Sequence, residues 1–220
     1  MQKLEYGTYY HIYNRGNNKT DIFKDKDDYL RFLYLIQKYI SLVANIYCYA
    51  LMRNHFHFLV EVKEIDEIDF LMEGYSNEPS KKWKTIHLNE KDIDSFDKKM
   101  LKKPVPSRQF SHLFNSYTKW FNKRHARTGS LFEKNFKRKE ITSEEYLKHL
   151  VYYIHHNPLH HGFVNSFINY PWTSYLIYTE SKSTFLDKET VVEWFHDVDD
   201  FISFHQEEHD LSMIEDCMID

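Results

Sequence analysis

The sequence predicts an α+β domain of ferredoxin-like type, an antiparallel sheet with flanking helices, from three observations. Two adjacent stretches alternate as strands with a tight connection between them, two amphipathic helices bracket them, and the order along the chain is β-α-β-β-α-β with one more helix. Residues 8–14 (TYYHIYN) read as the first strand, ending at a turn around Arg15-Gly16. A helix fits 26–43, because Tyr29, Phe32, Leu33, Ile36, Ile40 and Val43 recur at helical spacing behind Asp25 or Asp27 as a cap. Residues 45–51 (NIYCYAL) and 55–62 (HFHFLVEV) are the next two strands, joined through Met52-Arg53-Asn54. Residues 63–107 are mixed in charge and poorly periodic, with breakers at Gly74, Pro79, Pro104 and Pro106, and are read as an insertion. A second helix spans 108–126 on the stripe Phe110, Leu113, Phe114, Tyr117 and Phe121, and a strand follows at 136–141. A third helix starts near 143, where Thr142 and Glu145 have capping-box spacing, and is expected to stop at Asn157-Pro158.

At 220 residues, 42% of them hydrophobic and 28% charged, the chain is long enough to bury a sizeable core. No uncharged apolar run approaches the roughly 20 residues that span a bilayer, so no membrane is expected as a partner. The N-terminal segment has no charged region leading into an apolar one, and a cytoplasmic location is expected. Cys48 and Cys217 form no CxxC pair, which argues against structural zinc and a disulfide framework; both are expected reduced. The 5 glycines fit neither G-x-G-x-x-G nor the P-loop pattern, so no nucleotide cofactor is expected.

The net charge of −4 hides an asymmetry: residues 181–220 hold two lysines against twelve acidic residues, a net −10, leaving +6 on the first 180. Between Arg108 and Glu140, nine Lys or Arg are interleaved with Tyr117, Trp120, Phe121, Phe132 and Phe136. That mixture suits a phosphate backbone with splayed bases, and equally a solvated basic helix face. Residues 181–220 are read as an acidic helical tail, in which Val191, Val192, Phe195, Phe201, Ile202 and Phe204 can pack one or two short helices on the core, and which is either solvated or lies over the basic groove in place of nucleic acid.

Two groups of residues are candidates for chemistry. In HFHFLVEV the alternation turns His55, His57, Leu59 and Glu61 to one face and Phe56, Phe58, Val60 and Val62 to the other, so the two imidazoles can share one metal ion or be satisfied sheet histidines. On the third helix, Leu147, Leu150, Val151 and Ile154 form the buried stripe, with Tyr153 and Asn157 four residues apart along one edge. A tyrosine there can border a cleft or fill the core, and as a nucleophile at neutral pH its phenol, of pKa about 10, needs a metal-polarised phosphodiester.

These residues carry a family resemblance. Ala50-Leu51-Met52-Arg53-Asn54-His55-Phe56-His57-Phe58-Leu59-Val60 resembles the A-x-x-M-x-N-H-x-H-x-L signature of single-tyrosine HUH transposases, which act on single-stranded DNA. Tyr10-His11-Ile12-Tyr13-Asn14-Arg15-Gly16 with Ile22-Phe23 resembles the N-terminal Y-H-x-x-N-R-G…I-F block, and Gly129-Ser130-Leu131-Phe132 the G-T-L-W/F block. Tyr153-Ile154-His155-His156-Asn157-Pro158-Leu159 with Gly162-Phe163-Val164 resembles Y-I-x-x-N-P-V-x-x-G-L-V, and Pro171-Trp172-Thr173-Ser174-Tyr175 the P-W-S-S-Y block. Five blocks in order, over about residues 6–178, resemble the branch of REP-associated tyrosine transposases, named for repetitive extragenic palindromes.

The resemblance implies a catalytic domain over 1–180 with the HUH fold, Tyr153 as nucleophile, and His55, His57 and Asn157 holding Mg²⁺ or Mn²⁺. Tyr152, with His156 four residues on, is a competitor for the nucleophile, but Ile154 and Asn157-Pro158 align with the family pattern only in the Tyr153 register. It implies cleavage and rejoining of single-stranded or hairpin DNA through a 5′-phosphotyrosine, without ATP, by a monomer rather than a homodimer. Asn14 and Arg15 are expected at a hairpin or its flank, and Lys119, Lys123, Arg124, Arg127, Lys137, Arg138 and Lys139 along phosphates. The alternatives are a noncatalytic DNA-binding protein derived from such an enzyme, and a metal hydrolase using water. The His160-His161 pair is read as a surface turn.

Overall fold

Alternating apolar residues in four stretches build one antiparallel sheet. In the computed structural model, which describes residues 3–73, 83–86, 101–180, 183–212 and 214, these strands are β1 (Tyr9–Arg15), β2 (Ala44–Met52), β3 (His55–Val62) and β7 (Lys137–Ile141), in the order β2-β3-β1-β7. That order and the intervening helices give the ferredoxin-like arrangement the sequence predicts. Tyr13 lies opposite His57 and Arg15 opposite His55, so β1 and β3 share their faces residue for residue. Tyr47 is the extra residue of a bulge between Ile46 and Cys48 on β2.

Helices α1 (Lys26–Tyr39) and α2 (Pro106–Arg124) cover one face. Phe32 of α1 meets Phe56 and Phe58 of β3 there, and Phe114 of α2 meets Phe56. Helix α3 (Glu144–His160) crosses the opposite face, the one that carries His55 and His57. α1 stops four residues short of the expected end because residues 40–43 turn the chain into β2. α2 starts two residues early, since Pro106 sits at the first turn of a helix, where its missing N–H costs nothing. The cap of α3 is Ser143, which accepts from Tyr146 N, rather than Thr142.

α3 also runs through Pro158 to His160 instead of stopping at Asn157. A proline in the last turn removes one hydrogen bond only, and Gly162 at φ +68° closes the end with its N–H on Leu159 O. Asn157 therefore keeps helical geometry one turn beyond Tyr153.

The stretch 63–107 holds β4 (Phe70–Glu73), β5 (Trp83–Ile86) and β6 (Leu101–Lys102), a separate small antiparallel sheet in the order β5-β4-β6. Strands of two to four residues amid charge leave no readable period. Gly74 and Pro79 lie outside the described residues, as does Cys217. Cys48 is fully buried, and burial pushes its thiol pKa up.

After α4 (Tyr175–Thr179), the acidic segment folds into α5 (Lys188–Trp194) and α6 (Val198–Gln206). Apart from the half-buried Asp187, the acids of its described residues are exposed, while Val191, Phe195 and Phe201 are buried in the same core as the sheet. Trp194 packs on Tyr9 and Tyr47, at the end of the sheet away from His55. This placement explains the segment by apolar burial and not by charge attraction to a groove. Replacing Phe201 with alanine is expected to cost about 3–5 kcal/mol, lowering Tm by on the order of 10 °C in calorimetry.

A buried chain of hydrogen bonds ties these layers. His205 Nδ1 donates to Phe201 O (2.8 Å), His155 Nδ1 donates to His205 Nε2 (2.9 Å), and Ser174 Oγ donates to His155 Nε2 (2.8 Å) while accepting from Tyr49 N (3.0 Å). Each ring must be neutral for this order of donors, and burial lowers the His205 pKa to about 3. The unfolded chain takes up a proton near pH 6.5 that the folded chain refuses until about pH 3, so this stability is complete above 6.5 and lost as pH falls. Urea unfolding at pH 7 and pH 5 is expected to show a loss of about 2 kcal/mol from this site alone. His205→Gln is expected to flatten the dependence by one proton.

Candidate active site

His55 and His57 point from β3 toward α3, and the i, i+4 spacing on α3 brings Asn157 and Tyr153 down onto them. His55 Nε2 stands 3.2 Å from Asn157 Oδ1, and the Tyr153 ring lies edge-on to His57 with centroids 5.7 Å apart. The four residues meet at one place. Tyr152 faces the other way: it stacks on His156 at 3.9 Å and meets His205 and His209. Tyr153 is 3% exposed, so it is covered rather than open at a cleft.

Burial governs the protonation of the two histidines. It lowers the His55 pKa to about 4 and holds His57 well below the ordinary histidine value, so both rings are neutral at pH 7 with one N–H each. The His55 proton belongs on Nδ1, 2.7 Å from the Asn54 carboxamide oxygen. His55 Nε2 then presents a lone pair to Asn157 Oδ1, itself an acceptor. Two acceptors held together call for a cation between them or for a flipped Asn157 amide. Two cis ligands of an octahedral Mg²⁺ stand about 3 Å apart, close to this spacing. His57 Nε2 and Asn157 Nδ2 are buried here without a hydrogen-bond partner. The donor set fits a divalent ion.

The expected DNA-contacting residues fall in three places. Arg15, Lys137 and Lys139 share the face of His11 and Tyr13, with Arg15 opposite His55 and paired to Glu133 at 2.5 Å. Asn14 and Arg138 lie on the face of α1 and α2: Asn14 is buried, its amide spent on Arg15 N and Glu133 O, and the Arg138 guanidinium covers Phe136. Lys119 and Lys123 are exposed on α2, and Arg127 braces its own loop through Ser130 O. Arg124 is held in ion pairs with Asp25 and Asp27.

Asp25, Asp28 and His125 also bring three possible ligand atoms within 4.8 Å of one another. The Arg124 guanidinium already pairs with both aspartates, Nη2 2.9 Å from Asp25 and Nε 3.6 Å from Asp28, and both carboxylates accept backbone N–H groups at the start of α1. An ion there would have to displace a cation that the protein supplies.

Two features escaped sequence reasoning. His11 is buried with Nε2 2.8 Å from His57 Nδ1, although strand alternation in TYYHIYN already gave its face. The His160-His161 pair is exposed as expected, yet the His161 ring lies 4.8 Å from His55 and the His160 ring 6.4 Å from Tyr153. The block around Trp172 is structural: Trp172 stacks on Tyr29 at 4.2 Å, and Leu51 N donates to Trp172 O, so the segment covers the free edge of β2. Gly16 has a steric role, since a Cβ there would lie 2.0 Å from Thr20 O.

No protein-family model matches the chain, and no curated protein matches it. Among solved structures the chain is similar to one described as the REP-associated tyrosine transposase bound to a REP hairpin, with a TM-score of 0.52 over 81% of this chain and 83% of that one. The chain has that transposase's fold. Sequence identity is 14%. No helix among the described residues is long and apolar enough to cross a membrane.

Proposed function

We propose that this protein is a metal-dependent HUH-type nuclease and strand transferase, which cleaves and rejoins single-stranded or hairpin DNA through a phosphotyrosine at Tyr153. The observation that carries the reading is the meeting of His55, His57, Asn157 and Tyr153 on one face, with the His55 and Asn157 acceptors converging at 3.2 Å. The fold shared with a transposase bound to a hairpin supports it.

A divalent ion, when bound, polarises the scissile phosphate and offsets charge as it develops. His55 Nε2, His57 Nε2 and Asn157 Oδ1 would hold that ion, leaving room for the oxygen donors that hard metals prefer. Tyr153 Oη forms a bond to phosphorus as the P–O3′ bond breaks. The phenol gives up one proton and the 3′-oxygen takes one, so the exchange is proton-neutral. Bond energy is kept in the tyrosyl ester, and a 3′-hydroxyl can reverse the step without ATP. Arg15, Lys137 and Lys139 supply positive charge on the active face, and Lys119 and Lys123 extend it over α2.

A second reading, a noncatalytic DNA-binding protein of the same descent, is favoured by the burial of Tyr153. The two are separated by offering the full chain single-stranded hairpins from the DNA flanking its own gene, with Mn²⁺ or with EDTA. Cleavage with Mn²⁺ alone is the expected result. Tight binding with no cleavage under any divalent metal supports the second reading.

A further inference from the structure

His11 stacks on His57 with ring centroids 5.0 Å apart and 17° between planes, and the two are joined nitrogen to nitrogen at 2.8 Å. Both rings are fully buried. Two neutral imidazoles joined this way share one proton in the bond and keep one outside it. Either His57 Nδ1–H donates to His11 Nε2, leaving His57 Nε2 bare and a proton on His11 Nδ1, or the donation runs in reverse and the proton stands on His57 Nε2. The outer nitrogens, His11 Nδ1 and His57 Nε2, are both buried without a partner. Each arrangement thus strands one buried N–H at a comparable cost, and whatever meets His57 Nε2 decides between them.

We infer that His11 is a positioning residue for the cation at His57: it accepts the His57 Nδ1 proton, turns the Nε2 lone pair into the site and holds the ring plane. This rests on the reading above that His57 is a metal ligand. It makes His11 the counterpart of Asn54, which accepts from His55 Nδ1, so that each histidine of the pair is oriented from behind by its own acceptor. The geometry follows from strand register, because β1 is hydrogen-bonded to β3 along its whole length and places His11 one step along the strand from Tyr13, the residue opposite His57. A side chain at 11 that cannot accept leaves His57 Nδ1–H unsatisfied or lets the tautomer reverse, which puts a proton where the ion must bind.

The test is Mn²⁺ binding by the full-length protein, followed by electron paramagnetic resonance, for wild type, His11→Leu and His11→Gln. The Gln side-chain oxygen falls where Nε2 of histidine does and can accept. Leucine is expected to weaken Mn²⁺ binding about 10–100-fold and glutamine by no more than about threefold. Should the leucine variant not fold, His11→Phe keeps the stacked ring without its nitrogens and carries the same expectation. In ¹⁵N-labelled, Mg²⁺-loaded wild type, a scalar coupling across the hydrogen bond is expected between His57 Nδ1 and His11 Nε2. Equal Mn²⁺ affinity in wild type and His11→Leu, equal weakening by leucine and glutamine, or absence of that coupling would each overturn the inference alone. A wild type that binds no Mn²⁺ overturns the metal reading and this inference with it.

Discussion

Tyr153→Phe is expected to abolish cleavage, lowering the single-turnover rate by at least about a thousandfold, while hairpin affinity changes by no more than about threefold. The phenol oxygen forms the new bond to phosphorus in this account, so its loss removes the reaction path, not only a stabilising contact. The ring remains, and with it the edge-on contacts to His57 and His11, so the site should keep its shape. Tyr152→Phe is the control. That ring faces His156 and His209 on the other side of α3, and cleavage should stay within a few-fold of wild type. A hydrolase that activates water on the histidine pair would keep cutting with phenylalanine at 153. Quenched time courses on a labelled hairpin separate these results.

His57→Ala is the second large effect. It removes the buried Nε2 that faces the site and leaves His11 without its partner. Cleavage is expected to fall by at least about a thousandfold, and Mn²⁺ binding by isothermal titration to drop below detection. Stability should fall by a few kcal/mol, since a fully buried ring becomes a cavity. Far-UV circular dichroism and hairpin binding are therefore measured beside activity. If His57→Ala cut the hairpin at the wild-type rate in Mg²⁺, the ligand assignment would be wrong.

Much of the fold and of this site was legible because both depend on local period. The two-residue alternation in HFHFLVEV gives the face of His55 and His57, and the four-residue spacing on α3 gives that of Tyr153 and Asn157. That these faces meet follows from the helix crossing the sheet on one side. What was not legible depends on register between distant segments. His11 reaches His57 only because β1 pairs antiparallel with β3, a relation across 46 residues that no local pattern encodes. The ion pairs of Arg124 join residues 97 and 99 positions apart in sequence, so a guanidinium expected to contact phosphate is occupied at the start of α1. The acidic segment is a mixed case: its charge also suggested a place over the basic groove, while its place in the fold is set by the apolar side chains that could be read as packing short helices on the core, Val191, Phe195 and Phe201 among them.

A count of fourteen histidines does not separate core links from candidate ligands: His155 and His205 serve as neutral buried links between helices. The distinction lies in the free nitrogen. In the structural pair both nitrogens of each ring are used, whereas His57 keeps its buried Nε2 unpartnered.

The most direct test of the account is the identity of the covalent product. The full chain is incubated with Mn²⁺ and a flanking hairpin, the adduct is digested with protease and nuclease, and the modified peptide is sequenced by mass spectrometry. The expected product is a 5′-phosphonucleotide on Tyr153, with a released strand ending in a 3′-hydroxyl. Cleaved DNA with no protein adduct, or an adduct on Tyr152, would contradict it.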